Sequence, residues 1–238
     1  MLTAILPRNR ILDRGPDTAT GIALTFDDGP HPDYTPVLLD ELQRFRIHAT
    51  FFVIGKLAQR HPDLISRMVE EGHTIGCHTY THSEPSETSS SRLLEDVCRS
   101  LALLEDLTTK RPTLFRPPKG QLTLAKTLGL WKLQQTIVLW NQDPRDYQAE
   151  SAADMLKWID AYQPARGDIV LMHDVHPHCI AAIEPLAKLA ASHNLGPFVT
   201  VDQWLSTNQR VVRPVGEELI LETTANGQIH ISREAAQK

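Results

Sequence analysis

Three of the 238 residues are cysteine, and Cys77, Cys98 and Cys179 are scattered and odd in number. Such a set makes no disulfide framework and contains no C-x-x-C pair. Buried or semi-buried thiols in a reducing compartment are expected. Cys77 adjoins His78, but consecutive residues of a strand point to opposite faces. No run approaches the roughly 18 apolar residues of a membrane span. A positive excess is missing as well: 24 Lys and Arg face 29 Asp and Glu, for a net charge of −5. Without a basic stripe no nucleic-acid partner is expected. There is no G-x-G-x-x-G and no P-loop to cradle a nucleotide. The start, MLTAILPRNR, has its charges after a short apolar run, whereas an export signal needs basic residues first and then about 7–15 apolar ones. A cytoplasmic location is therefore expected, although a start trimmed from a longer chain would leave export open. Oligomeric state is not legible.

With 41% hydrophobic and 22% charged residues, the chain suits one globular domain over residues 1–238. Strand-like runs alternate with helical patterns. Strands are expected at Gly21–Asp27, Ala49–Ile54, His73–His78, Leu114–Arg116, Thr136–Trp140, Asp168–Met172 and Phe198–Val201. Helices are expected at Thr35–Arg46, with Thr35 as N-cap and Pro36 at the first helical position, and at Pro62–Glu71, closed by Gly72. Others follow at Ser91–Leu107, Thr123–Leu130, Ala152–Tyr162, Ile180–Ser192 and around Trp204. About seven βα repeats predict an α/β fold with a parallel sheet, a distorted (β/α) barrel rather than an open sheet. The barrel would occupy residues 21–205. In an extension over 206–238, Leu219–Thr223 and Gln228–Ser232 alternate around Asn226-Gly227, the signal of a β-hairpin.

Five polar segments fall at strand ends, where parallel α/β folds bind ligands. Thr25-Phe26-Asp27-Asp28-Gly29-Pro30 places two adjacent carboxylates at a strand mouth. Alone it could be a solvated turn, but neighbouring acids repel unless a cation is shared. His78 and His82, four apart, share a face if the chain there is helical. With one Asp they would make a three-ligand metal site with open positions. Arg116, stiffened by Pro117 and Pro118 before Lys119-Gly120, could hold a carboxylate in bidentate geometry. Asp143 and Asp146 sit among Trp140, Tyr147 and Asn141, where a surface turn is an equal alternative. His173 closes a buried strand before Asp174 and suits a general acid. His31 and His176 could touch a substrate, although exposure is the simpler account, and His73 is expected to be structural.

Taken together in this order, the segments resemble the polysaccharide deacetylase family, carbohydrate esterases with a NodB homology domain. Thr25–Pro30 resembles its T-F-D-D-G-P motif, His78–His82 its H-[ST]-x-x-H, Arg116–Gly120 its R-P-P-Y-G, Asp143–Tyr147 its D-x-x-D-W and Leu171–His173 its L-x-H. The resemblance implies a metal-dependent hydrolase that removes N-acetyl or related acyl groups from an acetylated carbohydrate. It implies one divalent metal ion, usually Zn2+ with Co2+ or Ni2+ as alternatives, on Asp28, His78 and His82. It further implies Asp27 as general base held by Arg116, and His173 as general acid tuned by Asp146. Leu171 would line the acetyl pocket, and the backbone N–H of Lys119 would meet the oxyanion. Two residues depart from the pattern. Lys119 replaces a Tyr and Tyr147 a Trp, both on the substrate groove, and they favour an acidic, modified or small substrate. Competing expectations are a catalytically silent carbohydrate-binding protein, a deacylase of a small non-polymeric substrate, and an Fe(II) oxygenase on the same two-His, one-carboxylate set.

Overall fold

Strand β2, Ala23–Asp27, is buried at every position, as strands covered on both faces must be. A computed structural model describes residues 11–208 and the strands Glu217–Thr223 and Ile229–Ala235, with side chains described through Leu205. Chain order runs β1 (Ile11–Leu12), β2, α1 (Tyr34–Arg44), β3 (Thr50–Val53), α2 (Gly55–Arg60), α3 (Pro62–Glu70) and β4 (Thr74–Cys77). It continues with α4 (Ser90–Thr108), β5 (Leu114–Phe115), α5 (Leu124–Lys132), β6 (Thr136–Val138), α6 (Ala152–Ala161), β7 (Ile169–His173), α7 (His178–Ser192) and α8 (Val201–Asn208). Seven strands form one parallel sheet in the order β1-β6-β5-β4-β3-β2-β7. It curls into a half-barrel whose two edges approach through a Gly15 N–H to Gly167 oxygen bond of 2.7 Å and a single bridge between Gln142 and Val170.

The alternation of strand side chains sorts the core into two layers. Leu24, Phe26, Ile75, Cys77, Phe115, Val170 and Met172 face the helices. Ala23, Phe52, Leu114, Val138 and Ile169 face the concave side. The same parity carries Thr25, Asp27, His78, Arg116, Leu171 and His173 inward at the carboxyl ends of their strands. Cys77 is thus turned away from His78, as expected, and burial pushes its thiol up to about 11. Cys98, in contrast, is exposed, because it lies on the solvent side of α4.

The count of seven strands holds, but its membership changes. Phe198–Val201 is not a strand. Val199 makes one bond to the Ile22 oxygen, and Val201, its N–H bound to Thr50 Oγ1, opens α8. Val199, Val201 and Trp204 fill the concave layer as a plug. The seventh strand is β1, two residues paired to Ile137 and Val138, too short to carry a period. Helix α2 also escaped the pattern. Thr35 is not the N-cap of α1: Asp33 occupies that place, and Thr35 is buried inside the first turn. Strands β8 (Glu217–Thr223) and β9 (Ile229–Ala235) pair antiparallel, and the turn expected at Asn226-Gly227 lies outside the described residues. No helix among the described residues is long and apolar enough to cross a membrane.

Candidate metal centre and active site

Asp28 follows the last residue of β2 with φ of 72°, a left-handed backbone that Asp tolerates better than most residues. This turn sends its carboxylate toward the loop after β4. There His78 Nε2 lies 3.3 Å and His82 Nε2 3.2 Å from Asp28 Oδ1. All three ligand atoms fall within 4.8 Å of one another. Bonds of about 2.0–2.1 Å to a tetrahedral ion imply ligand-to-ligand edges of about 3.3 Å, so the cluster fits a divalent ion. Asp28 Oδ1 is buried without a hydrogen-bond donor among the described residues, a costly state for a carboxylate unless a cation meets it. Burial would raise the Asp28 pKa, but the closeness of His78 and the charges of His78 and His82 bring it down to about 2.

The His-x-x-x-His segment is not helical. Thr79 and His82 both adopt positive φ, 67° and 56°, and for a β-branched residue this is a constrained conformation. The constraint has visible sources. Thr79 Oγ1 accepts the His82 N–H at 2.9 Å, and Asp96 on α4 accepts the N–H groups of Tyr80 and Thr81 at 2.7 and 3.1 Å. These bonds fold the loop so that the imidazoles meet. His78 Nδ1 lies 2.8 Å from the Arg116 carbonyl. A carbonyl only accepts, so Nδ1 carries the proton and Nε2 presents its lone pair toward Asp28.

Asp27 stands beside this cluster, its Oδ1 accepting from an Arg116 Nη at 2.8 Å. The expected bidentate clamp is not formed. The fully buried guanidinium spends its other donors on Thr25 Oγ1 at 2.7 Å and on the carbonyls of Val138 and Leu139 at 3.1 and 3.0 Å. It also lies over the Phe52 ring, 4.2 Å from its centroid. Arg116 is thereby locked to three strands and holds Asp27 through one nitrogen.

Asp146, in the short turn after β6, accepts from His173 Nδ1 at 2.8 Å and from the His173 N–H at 2.6 Å. Burial opposes charge on His173, but the bond and charge of Asp146 prevail, helped by Asp27 and Asp28, and raise its pKa to about 9. Tyr147 sets its ring edge-on to His173 at 5.3 Å. Leu171 is buried in register with Thr25. Lys119 has φ of 55° in the turn Pro118–Gly120, while its ammonium crosses to Glu84 at 2.5 Å. The structure thus gathers Asp27, Asp28, His78, His82, Arg116, Asp146, His173, Tyr147 and Leu171 about one concave end, and turns the Lys119 side chain away to an exposed partner. His73 is structural, as expected: its Nδ1 accepts the Ala49 N–H at 3.0 Å, and burial pushes it to about 4.

A polysaccharide deacetylase family model matches residues 14–136. A peptidoglycan-N-acetylglucosamine deacetylase of Bacillus cereus is 38% identical over 176 residues, 73% of this chain and 82% of that protein. The chain belongs to the polysaccharide deacetylase family. The Listeria monocytogenes peptidoglycan-N-acetylglucosamine deacetylase PgdA is 35% identical over 184 residues, 76% of this chain but 38% of that protein. The structure of peptidoglycan deacetylase PdaC from Bacillus subtilis superposes with a TM-score of 0.72 at 30% identity, over 81% of this chain and 93% of that one. The family match ends before Asp146 and His173, so their pairing rests on the geometry above.

Several residues that shape this deacetylase site had drawn no role. Asp174 is fully buried behind the Asp27-Asp28-Gly29 turn. Its N–H reaches the Asp27 carbonyl, and its Oδ2 accepts from Thr35 at 2.5 Å, whose Oγ1 in turn accepts the His31 N–H. Burial pushes the Asp174 carboxyl up to about 7. A Cβ on Gly29 would lie 2.0 Å from Asp174 Oδ1. Gly29→Ala is therefore expected to destabilise the fold by about 1–3 kcal/mol and to weaken divalent-ion uptake at the neighbouring Asp28. Chemical denaturation with ion titration checks this, and unchanged values for both would show that the carboxyl yields freely.

The Asp146–His173 pair makes a pH prediction. A raised folded-state pKa stabilises the protein fully below the unfolded value near 6.5, and this contribution is lost as pH rises through about 9. Asp146→Asn removes the bond and charge that raise His173 and leaves burial opposing its charged form, so His173 becomes largely neutral by pH 8. Measured from pH 6 to 10, kcat should lose its alkaline plateau in the variant. An unshifted alkaline limb in the variant would detach Asp146 from His173.

Proposed function

We propose that the chain deacetylates N-acetylated sugars of a peptidoglycan-type glycan, with Zn2+ as its ion and Co2+ or Ni2+ as substitutes. As a member of the polysaccharide deacetylase family it is a metal-dependent deacetylase of N-acetylated carbohydrates. Relatives named as peptidoglycan deacetylases support the finer substrate. The observation that carries this reading is the convergence of Asp28 with His78 and His82 beside an Asp27 held by Arg116. One oxygen and two imidazole nitrogens suit a borderline-soft cation. Such an ion would lower the pKa of a water it binds and polarise an acyl carbonyl. Asp27 would take the proton of the attacking water, oriented by Arg116. The amide C–N bond would break as His173, protonated at neutral pH, gives its proton to the departing amine. The Lys119 backbone N–H would face the developing oxyanion, and Leu171 would pack against the acetyl methyl.

The paired state of Lys119 bears on specificity. Glu84 neutralises its charge, so the wall beside the site is not an open cation, and the preference for acidic sugars drawn from Lys119 alone loses its main support. We read the curled sheet as a distorted (β/α) barrel that runs to residue 205 and starts at the strand Ile11–Leu12 rather than at the expected residue 21, with the residues beyond as an appended extension. Acetate release should be measured from peptidoglycan fragments and chitooligosaccharides with the ion loaded and after chelation. Release that stops on chelation and returns with Zn2+ is expected. Protein shown by elemental analysis to hold one ion, yet releasing no acetate across the panel, would remove the reading in favour of a silent binding protein.

A further inference from the structure

A cavity of about 420 Å³ lies behind the loop that carries His78 and His82, between the segment 79–88, the first half of α4 and the turn 117–122. Its size falls in the range of small-molecule sites, about 300–1,000 Å³. Ser83 and Pro117 in its wall directly follow His82 and Arg116, and the Lys119–Glu84 ion pair joins the same two loops. The cavity is therefore built from the backbone that shapes the active site, although neither Asp27 nor His173 lines it.

Six ionisable side chains face it: Arg92, Arg99 and Lys126 against Glu87, Glu95 and Asp96. Three of them have structural partners. Asp96 caps the N–H groups of Tyr80 and Thr81, Arg99 lies on the Tyr80 ring and hydroxyl, and Lys126 donates to the Pro85 carbonyl at 2.7 Å. The side chains of Glu87, Arg92 and Glu95 make no hydrogen bond or ion pair with a described residue. Arg92 and Glu95 are spaced i,i+3 on α4, and Glu95 and Arg99 i,i+4, the separations at which helical ion pairs close. Elsewhere the chain does close them, in Arg67–Glu71, Lys157–Asp154 and Lys188–Glu184. Around this cavity neither Arg92–Glu95 nor Glu95–Arg99 closes such a pair.

We propose that this cavity binds the peptide substituent of the glycan whose N-acetyl group sits at the metal centre. An unsubstituted glycan offers hydroxyls and amides, which need no such charges, and a simple anion would be repelled by Glu87 and Glu95. A short peptide with free carboxylates and an ammonium matches both sets, and each matched pair is a charge-assisted hydrogen bond. This rests on the deacetylase reading and assigns that site its substrate class: glycan that still carries its peptides.

The test compares ion-loaded wild type with Arg92→Gln/Glu95→Gln on two substrates, peptide-bearing peptidoglycan oligomers and the same oligomers stripped of peptide by an amidase. The variant should raise KM about tenfold on the first, about threefold for each of the two solvent-exposed charged contacts removed, with kcat unchanged and both constants unchanged on the second. In a separate arm, the tripeptide Ala-Glu-Lys with free termini is titrated into both proteins and followed by NMR. Wild type should bind it and the variant about tenfold more weakly. Equal effects on both substrates, no effect on either, or no tripeptide binding by wild type would overturn the proposal. Tripeptide binding lost in the variant, with no acetate released from either substrate by wild type, would instead sink the deacetylase reading and leave the cavity assigned.

Discussion

Asp27→Asn is expected to keep one equivalent of bound ion and lose about 10³-fold in turnover, within the range of general base catalysis. The substitution is nearly isosteric, and the Asn oxygen still accepts from Arg116 at the position Asp27 Oδ1 now holds, 2.8 Å away. The ion ligands are untouched: Asp28 reaches its imidazoles from a left-handed turn one residue later, and Asp27 Oδ2 stays 3.8 Å from His78 Nε2. The proton acceptor disappears together with the counter-charge of the buried Arg116, so the variant is also less stable and its ion content is read on folded protein. Ion content by elemental analysis separates this from a ligand role, and kcat by acetate release measures the loss. A near-normal rate would mean that Asp27 is not the base. Loss of the ion would move Asp27 into the ligand set.

Asp27, His78, Arg116 and His173 are legible in the sequence as candidate site residues because a parallel fold imposes two rules. Polar residues that end apolar runs sit at the carboxyl edge, and strand parity decides which of them face inward. Asp27, His78, Arg116 and His173 each satisfy both. What stayed hidden depends on contacts distant in the chain or on single backbone angles. Thr35 and Asp174 are separated by 139 positions, and nothing local to either announces the other. Thr35 before Pro36 carries the local signature of an N-cap, yet the long-range bond to Asp174 draws it inside the helix. Lys119 read as an open cation because Glu84 lies 35 residues earlier in a loop without periodicity. The histidine pair fits a helical spacing, but the positive φ of Thr79 and His82 brings the rings together instead. Strand β1 is two residues long, and its existence is a property of β6, its partner.

Arg116→Met is expected to cost about 3–5 kcal/mol of stability, the penalty for leaving one member of a buried ion pair alone, and to cut turnover by at least about 10²-fold. The guanidinium is wholly buried. Its removal strands the Asp27 carboxylate and leaves the carbonyls of Val138 and Leu139 without the donors they now have. Thr25 suffers less, since its hydroxyl still donates to the Val170 carbonyl at 2.7 Å. Arg116→Lys separates charge from geometry. A lysine restores a cation for Asp27 but presents one nitrogen, not a planar fork, so it cannot reach Asp27 and both carbonyls together. It should therefore recover part of the lost stability and less of the rate. Urea denaturation and kcat on the same preparations measure both. A methionine variant that melts like wild type would mean that Asp27 needs no counter-charge, and with it would fall the account of how the base is held.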